Sequence, residues 1–167
     1  MCSSRQHEFC ERARQEARKS MMEHKLGCVI VCGGEIVAES HNYYVENFKE
    51  AWSVHAEVAA IMQLRKKPRK YFKDCEMYVV RVGTRHMQYP FKLSKPCESC
   101  AAVINAMGIR RVYYSTNEEY ESRIVAHDKQ FSHRNNKELH EELKKGLESL
   151  RTFRHQNNHP VQRSACV

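Results

Sequence analysis

Ser53-Val54-His55-Ala56-Glu57-Val58-Ala59-Ala60 is the stretch on which the reading of this chain turns, and Pro96-Cys97-Glu98-Ser99-Cys100 is its complement. They have the patterns H-x-E and P-C-x-x-C. Apolar residues at helical spacing follow each: Val54, Val58, Ile61, Met62 and Leu64 run through the first, Ala101, Ala102, Ile104 and Ala106 follow the second. The spacing predicts a helix over 51–67, with Ser53 as N-cap, and another over 97–107, stopped by Gly108. His55 and Glu57 then lie in the first turn of one helix. Cys97 and Cys100, three apart, share one face at the start of the other.

Outward from the motif, the chain reads as helices alternating with short β-rich runs. Phe9, Ala13, Ala17 and Met21 recur every four residues and predict an amphipathic helix over 5–24, with Met21 and Met22 in the core. Lys25-Leu26-Gly27 reads as its breaker. Cys28-Val29-Ile30-Val31-Cys32 reads as a buried strand, Gly33-Gly34 as a hairpin turn, and Glu35 to Ser40 as the return strand. Cys28 and Cys32 read as two core thiols on one strand face. His41 to Phe48 reads as a loop leading to the site. Pro68 ends the second helix. Met77 to Val82 is the third strand, Gly83 to Lys95 a loop, and Arg111 to Ser115 a fourth strand. A helix between strands three and four makes those two parallel. Residues 117–136 carry a loop with a short helix or strand. Leu139, Leu143, Leu147 and Leu150 predict a C-terminal helix. The domain is expected over 1–153, with a flexible tail over 154–167.

The residue types point to metal chemistry. Zinc takes imidazole and thiolate in tetrahedral geometry, and a catalytic zinc has three protein ligands with a fourth position open. His55, Cys97 and Cys100 supply that number. A helix N-terminus also favours thiolate over thiol. Glu57, two residues from His55, points elsewhere and suits a carboxylate that serves water. A closed structural zinc site needs one more ligand, for which His41, His86 and Cys75 are the candidates by count. A redox pair at Cys97 and Cys100 is the other reading of C-x-x-C.

Composition sets the outer limits. At 167 residues with 41% apolar content, the chain suits one globular domain with its own core. No apolar run long enough to span a membrane occurs, and the first residues have no signal-peptide pattern. Eight cysteines without such a signal suit a reducing cytoplasm. A net charge of +8 suits contact with phosphates, either on a small nucleotide or on a polynucleotide. The run Arg65-Lys66-Lys67-Pro68-Arg69-Lys70 reads first as a solvated helix end and second as a nucleic-acid patch.

H-x-E with P-C-x-x-C is the signature of zinc base deaminases, and the chain resembles the cytidine and deoxycytidylate deaminase-like superfamily over about residues 5–116. Leu26-Gly27-Cys28-Val29-Ile30-Val31, Asn42 after the second strand, the two halves of the motif, and Gly108-Ile109-Arg110-Arg111-Val112-Tyr113-Tyr114 carry the resemblance. It implies a three-layer α/β/α sandwich around a central mixed five-stranded sheet, its last strands parallel. It implies Zn2+ on His55, Cys97 and Cys100, with Glu57 catalytic. It implies substrate contacts from Asn42 and from the backbone at Ala56, and a homodimer or larger assembly. The expected reaction is hydrolytic deamination of a cytosine nucleotide, dCMP to dUMP. Basic side chains at Lys49, Arg81, Arg85 and Lys95 are the candidates for its phosphate. The alternatives are a tRNA or single-stranded DNA deaminase, a free purine base deaminase, and an inactive zinc-stabilised interaction module.

Overall fold

Val29, Ile30 and Val31 sit in a strand with both faces covered, which is why its sequence is apolar without alternation. The structure, a computed structural model, describes residues 3–45, 52–83, 91–116 and 124–128. The chain divides into units 1–132 and 133–167, and every described residue belongs to the first. The expected leucine helix, the boundary at 153 and the tail lie outside the described residues, as do Lys49 and Arg85.

In order, the elements are α1 (Ser4–Lys19), β1 (Lys25–Cys32), β2 (Glu35–His41), β3 (Tyr43–Val45), β4 (Trp52–Val54), α2 (Ala56–Gln63) and a 3-10 turn (Arg69–Asp74). Then come β5 (Cys75–Val82), β6 (Phe91–Lys92), α3 (Glu98–Met107), β7 (Arg111–Ser115) and β8 (Ile124–Asp128). The main sheet runs β2-β1-β5-β7-β8, with β6 paired to β5. It is mixed: β5 and β7 are parallel, as a helical crossover requires, and the other pairs are antiparallel.

Two apolar layers cover the sheet. On one side Val29, Val31, Tyr78, Val80 and Tyr113 meet Phe9, Cys10 and Ala13 of α1. On the other, Cys28, Ile30, Met77, Val79 and Val112 meet Ala56, Ala60 and Ile61 of α2 and Ile104 of α3. This is the expected α/β/α sandwich, and the period-2 alternation along β1 and β5 sorts its two cores. Gly33 (φ 60°) and Gly34 (φ 83°) make the turn from β1 to β2, both in the left-handed region that a tight hairpin needs.

Several expectations are corrected. The first helix stops at Lys19, and Ser20 is its C-cap in extended backbone. Met21 therefore falls beyond the helix and is 94% exposed. The buried face of α1 includes Cys10 and Glu16 instead. Gly27 is not a helix breaker. It lies inside β1, where a Cβ would stand 2.1 Å from the Ala13 carbonyl oxygen and 2.3 Å from the Ala17 nitrogen. The residue is glycine because α1 crosses the sheet there in backbone contact.

Of the expected loop from His41 to Phe48, the described residues 41–45 are not simply a loop. β2 runs on to His41, and β3 pairs with β4 in a separate two-stranded sheet. That places Ser53 in β4 rather than at an N-cap. Finally, β7 and β8 run antiparallel, not parallel. Only residues 116–123 join them, too few for the crossover of about a dozen residues that a parallel neighbour demands.

Candidate active site

Two helix starts build the site, and both are capped by an unusual residue. His55 is the N-cap of α2 (φ −74°, ψ 149°) and Cys97 the N-cap of α3 (φ −68°, ψ 168°). Their carbonyls accept the first helical bonds, from Ala59 N–H at 2.9 Å and Ala101 N–H at 2.8 Å. Neither side chain caps its helix. Serine, threonine, aspartate or asparagine would stabilise each start by about 1 kcal/mol. The imidazole and the thiol are thus spared for another partner.

That partner is a common point between them. His55, Cys97 and Cys100 each offer one donor atom, and the three atoms lie within 4.8 Å of one another. His55 Nδ1 is 3.2 Å from Cys100 Sγ and 3.5 Å from Cys97 Sγ. Tetrahedral zinc at ordinary bond lengths sets a nitrogen and a sulfur ligand about 3.6 Å apart. Cys100 is buried, whereas His55 and Cys97 are exposed, so the site is open on one side. No fourth protein ligand joins this group among the described residues. His41 lies beside Glu16, at 3.6 Å, and Cys75 beside the Tyr71 carbonyl, so neither completes a closed site.

Glu57 fills the floor. It is 2% exposed, and its Oε2 has no hydrogen-bond partner. Burial pushes its carboxyl above the usual carboxylate range, against the opposing pull of its own backbone N–H, His55 and Cys100. Burial, then the charges of Glu57 and Cys97, push the Cys100 thiol up as well. Burial thus penalises the charged forms of both Glu57 and Cys100, and a divalent cation at the donor atoms would offset that penalty. The orphaned carboxylate oxygen and the nitrogen–sulfur donor set both fit zinc.

Asn42 stands elsewhere in the hydrogen-bond scheme. Its Oδ1 accepts from Leu26 N–H at 2.8 Å, and its Nδ2 donates to the His24 carbonyl at 2.6 Å. The Ser20 hydroxyl donates to its carbonyl at 2.8 Å. Both ends of the amide thus help to fasten the entry to β1. Ala56 is fully buried at the start of α2. Lys95 is exposed, and Arg81 reaches His24 Nδ1 at 2.9 Å.

Composition did not single out Ser94 and Ser115, yet they hold the segment that delivers Cys97. Ser94 Oγ donates to the Val79 carbonyl and accepts from Ser115 N–H, both at 2.8 Å. Ser115 Oγ donates to the Lys92 carbonyl at 2.6 Å and accepts from Arg81 N–H at 3.1 Å. The approach to Pro96 is therefore fastened to the ends of β5 and β7. A pair of small polar residues leaves no periodic signal in the sequence.

Residues 3–116 match the family model described as the cytidine and deoxycytidylate deaminase zinc-binding region, and the chain belongs to that family. Its domain is a zinc-binding one, in accord with the three donors. A cytosine deaminase of Candida albicans is 25% identical over 108 residues, 63% of this chain. The match spans 62% of that relative's length. Among solved structures, the dCMP deaminase of cyanophage S-TIM5 has a TM-score of 0.52 at 19% identity, covering 72% of this chain and 90% of its own. A cytidine deaminase of Burkholderia pseudomallei has 0.53 at 19% identity, covering 72% and 91%. At that identity the two structures establish the shared fold. No helix among the described residues is long and apolar enough to cross a membrane.

Proposed function

We propose that the chain is a zinc-dependent hydrolytic deaminase of a cytosine nucleotide, converting dCMP to dUMP with release of ammonia. One observation carries the reading. A buried carboxylate with an unpartnered oxygen stands two residues from one of three convergent zinc donors. Its fold relative from cyanophage S-TIM5 has been solved in complex with dCMP and dUMP, which supports the choice of nucleotide.

In this reading His55, Cys97 and Cys100 hold the zinc. Bound there, zinc supplies a Lewis acid that lowers the pKa of water toward about 7. Glu57 takes a proton from the attacking water and delivers it to the ring nitrogen beside the attacked carbon. It then passes a proton to the departing amine. Its burial suits the first of these steps, since a carboxylate whose pKa is held above the usual range is the stronger base toward the proton of water. The backbone at Ala56 faces the base. Asn42 fixes the wall at the start of β1 through Leu26 and His24.

A second reading, deamination of a base within a polynucleotide, has one feature in its favour. Arg65, Lys66, Lys67, Arg69 and Lys70 are exposed, and none forms an ion pair among the described residues. They stand beyond the far end of α2 from His55, about 12 Å of helix away. That distance favours the small nucleotide. The test is ammonia release from zinc-loaded protein across cytosine nucleotides, nucleosides and bases, purine bases, and short oligonucleotides. Turnover of dCMP supports the proposal; turnover of oligonucleotides alone overturns it in favour of the second reading. No release from any of them leaves the inactive module.

A further inference from the structure

Cys32 closes β1 and Cys75 opens β5, and the antiparallel register sets them directly opposite each other. Opposed residues of an antiparallel pair point to the same face, with Cβ atoms about 4.5–5.5 Å apart. A disulfide asks for about 3.5–4.5 Å. Both residues end or begin a strand, where the backbone can yield the roughly 1 Å between the middles of those ranges. Both thiols are free, Cys32 half-buried and Cys75 buried, and both pack in the same apolar layer.

Their surroundings differ in a useful way. Cys75 Sγ donates to the Tyr71 carbonyl at 3.4 Å. Burial, and then the contact with Cys32, push its thiol up to about 12. Cys75 therefore stays a thiol at neutral pH, and Cys32 is the member of the pair that solvent reaches. Neither belongs to the zinc site. Cys28, which feels the charge of Glu57, lies four residues back along β1, about 13 Å from Cys32.

We propose that Cys32 and Cys75 are an oxidation site, forming a reversible disulfide when the protein meets a hydroperoxide. The Cys32 sulfur attacks the peroxide oxygen, the O–O bond breaks, and a sulfenic acid and an alcohol (or water) result. Cys75 sulfur then attacks the sulfenic sulfur. The S–O bond breaks, and the hydroxide leaves with the Cys75 proton as water. Two thiols lose two electrons in all, and the peroxide gains them. The bond joins β1 to the central strand and closes a loop that contains β2, α2, His55 and Glu57.

The test uses the full, zinc-loaded chain, in which Cys97 and Cys100 are engaged. It is treated with hydrogen peroxide, denatured with iodoacetamide to block remaining thiols, and digested without reduction. Mass spectrometry should find the Cys32 peptide joined to the Cys75 peptide, and dithiothreitol should separate them. In Cys32→Ser, Cys75 should be recovered alkylated. The wild-type map decides the matter even if that variant folds poorly. Recovery of both cysteines alkylated, Cys32 joined to another cysteine, or Cys32 over-oxidised beside an untouched Cys75 would overturn the proposal.

Discussion

Replacing Gly27 with alanine tests the contact that sets the spacing of the whole sandwich. The added Cβ would stand 2.1 Å from the Ala13 carbonyl oxygen, against 3.4 Å or more for an ordinary contact. The obstacle is helix backbone, so no rotamer change relieves it, and α1 must retreat by about 1.3 Å. A gap of that size forfeits a large part of the dispersion between α1 and the sheet, where Phe9, Cys10, Ala13 and Ala17 are buried. Overpacking costs about 1–3 kcal/mol, and backbone against backbone belongs at the upper end. Reduced freedom of the unfolded chain returns roughly 0.4–1 kcal/mol. A net loss of about 2–3 kcal/mol lowers the melting temperature of a domain this size by roughly 5–10 °C. Gly33→Ala is the calibration. Its Cβ meets nothing within 4 Å, but φ is +60°, so it should cost only about 1 kcal/mol. Both are read by thermal unfolding at one fixed free zinc concentration, since binding shifts the midpoint. A Gly27→Ala midpoint within a degree or two of wild type would refute the close packing of α1 on β1.

Three further outcomes follow from the site and its supports. Cys97→Ala and Cys100→Ala should each reduce zinc content from one per chain to near zero at micromolar free zinc, and should remove the dependence of the melting temperature on zinc. Ser94→Ala leaves the buried Val79 carbonyl and Ser115 N–H without the hydroxyl, so its urea midpoint should fall by the equivalent of about 1–3 kcal/mol; an unchanged midpoint would mean that the serine clamp is dispensable. The third concerns Glu39, whose carboxyl is held below the usual carboxylate range chiefly by its hydrogen bond to Arg12. A depressed folded-state pKa adds stability above the unfolded value near about 4.3, and that stability is lost as pH falls through the folded value. Wild type should therefore lose more stability on acidification below about pH 4.5 than Arg12→Gln does. The pair is half exposed, so the difference will be small, and identical acid profiles would remove it.

How much of this could be read in advance depended on how local the signal was. β1, β5 and β7 announce themselves through runs of valine, isoleucine and tyrosine, and Gly33-Gly34 through the left-handed backbone only glycine takes easily. The parallel pairing of β5 with β7 follows from the helix between them. The grouping of His55, Cys97 and Cys100 was legible because their spacing has few other uses. Other features depend on what a residue meets across the fold. Met21 continues the periodicity of α1, but Ser20 bonds to the Asn42 carbonyl and turns the chain away first. Ser53 has the side chain of an N-cap, but pairing with Tyr44 keeps it in β4 and passes the cap to His55. The bonds of the Asn42 amide to Leu26 and His24 depend on backbone groups brought close only by the sheet. Phe72 is fully buried in the 3-10 turn among charged neighbours that disguise it. Ser94 and Ser115, 21 residues apart, meet only because β7 lies beside β5.

The central claim is that Glu57 moves the protons of a deamination for which His55, Cys97 and Cys100 hold the metal. The most direct test measures conversion of dCMP to dUMP and bound zinc in the same samples, for wild type and Glu57→Gln. The account predicts turnover by wild type, a loss of at least about 100-fold in the variant, and one zinc per chain in both. Undiminished turnover by Glu57→Gln, or zinc-loaded wild type that leaves dCMP unchanged, would contradict it.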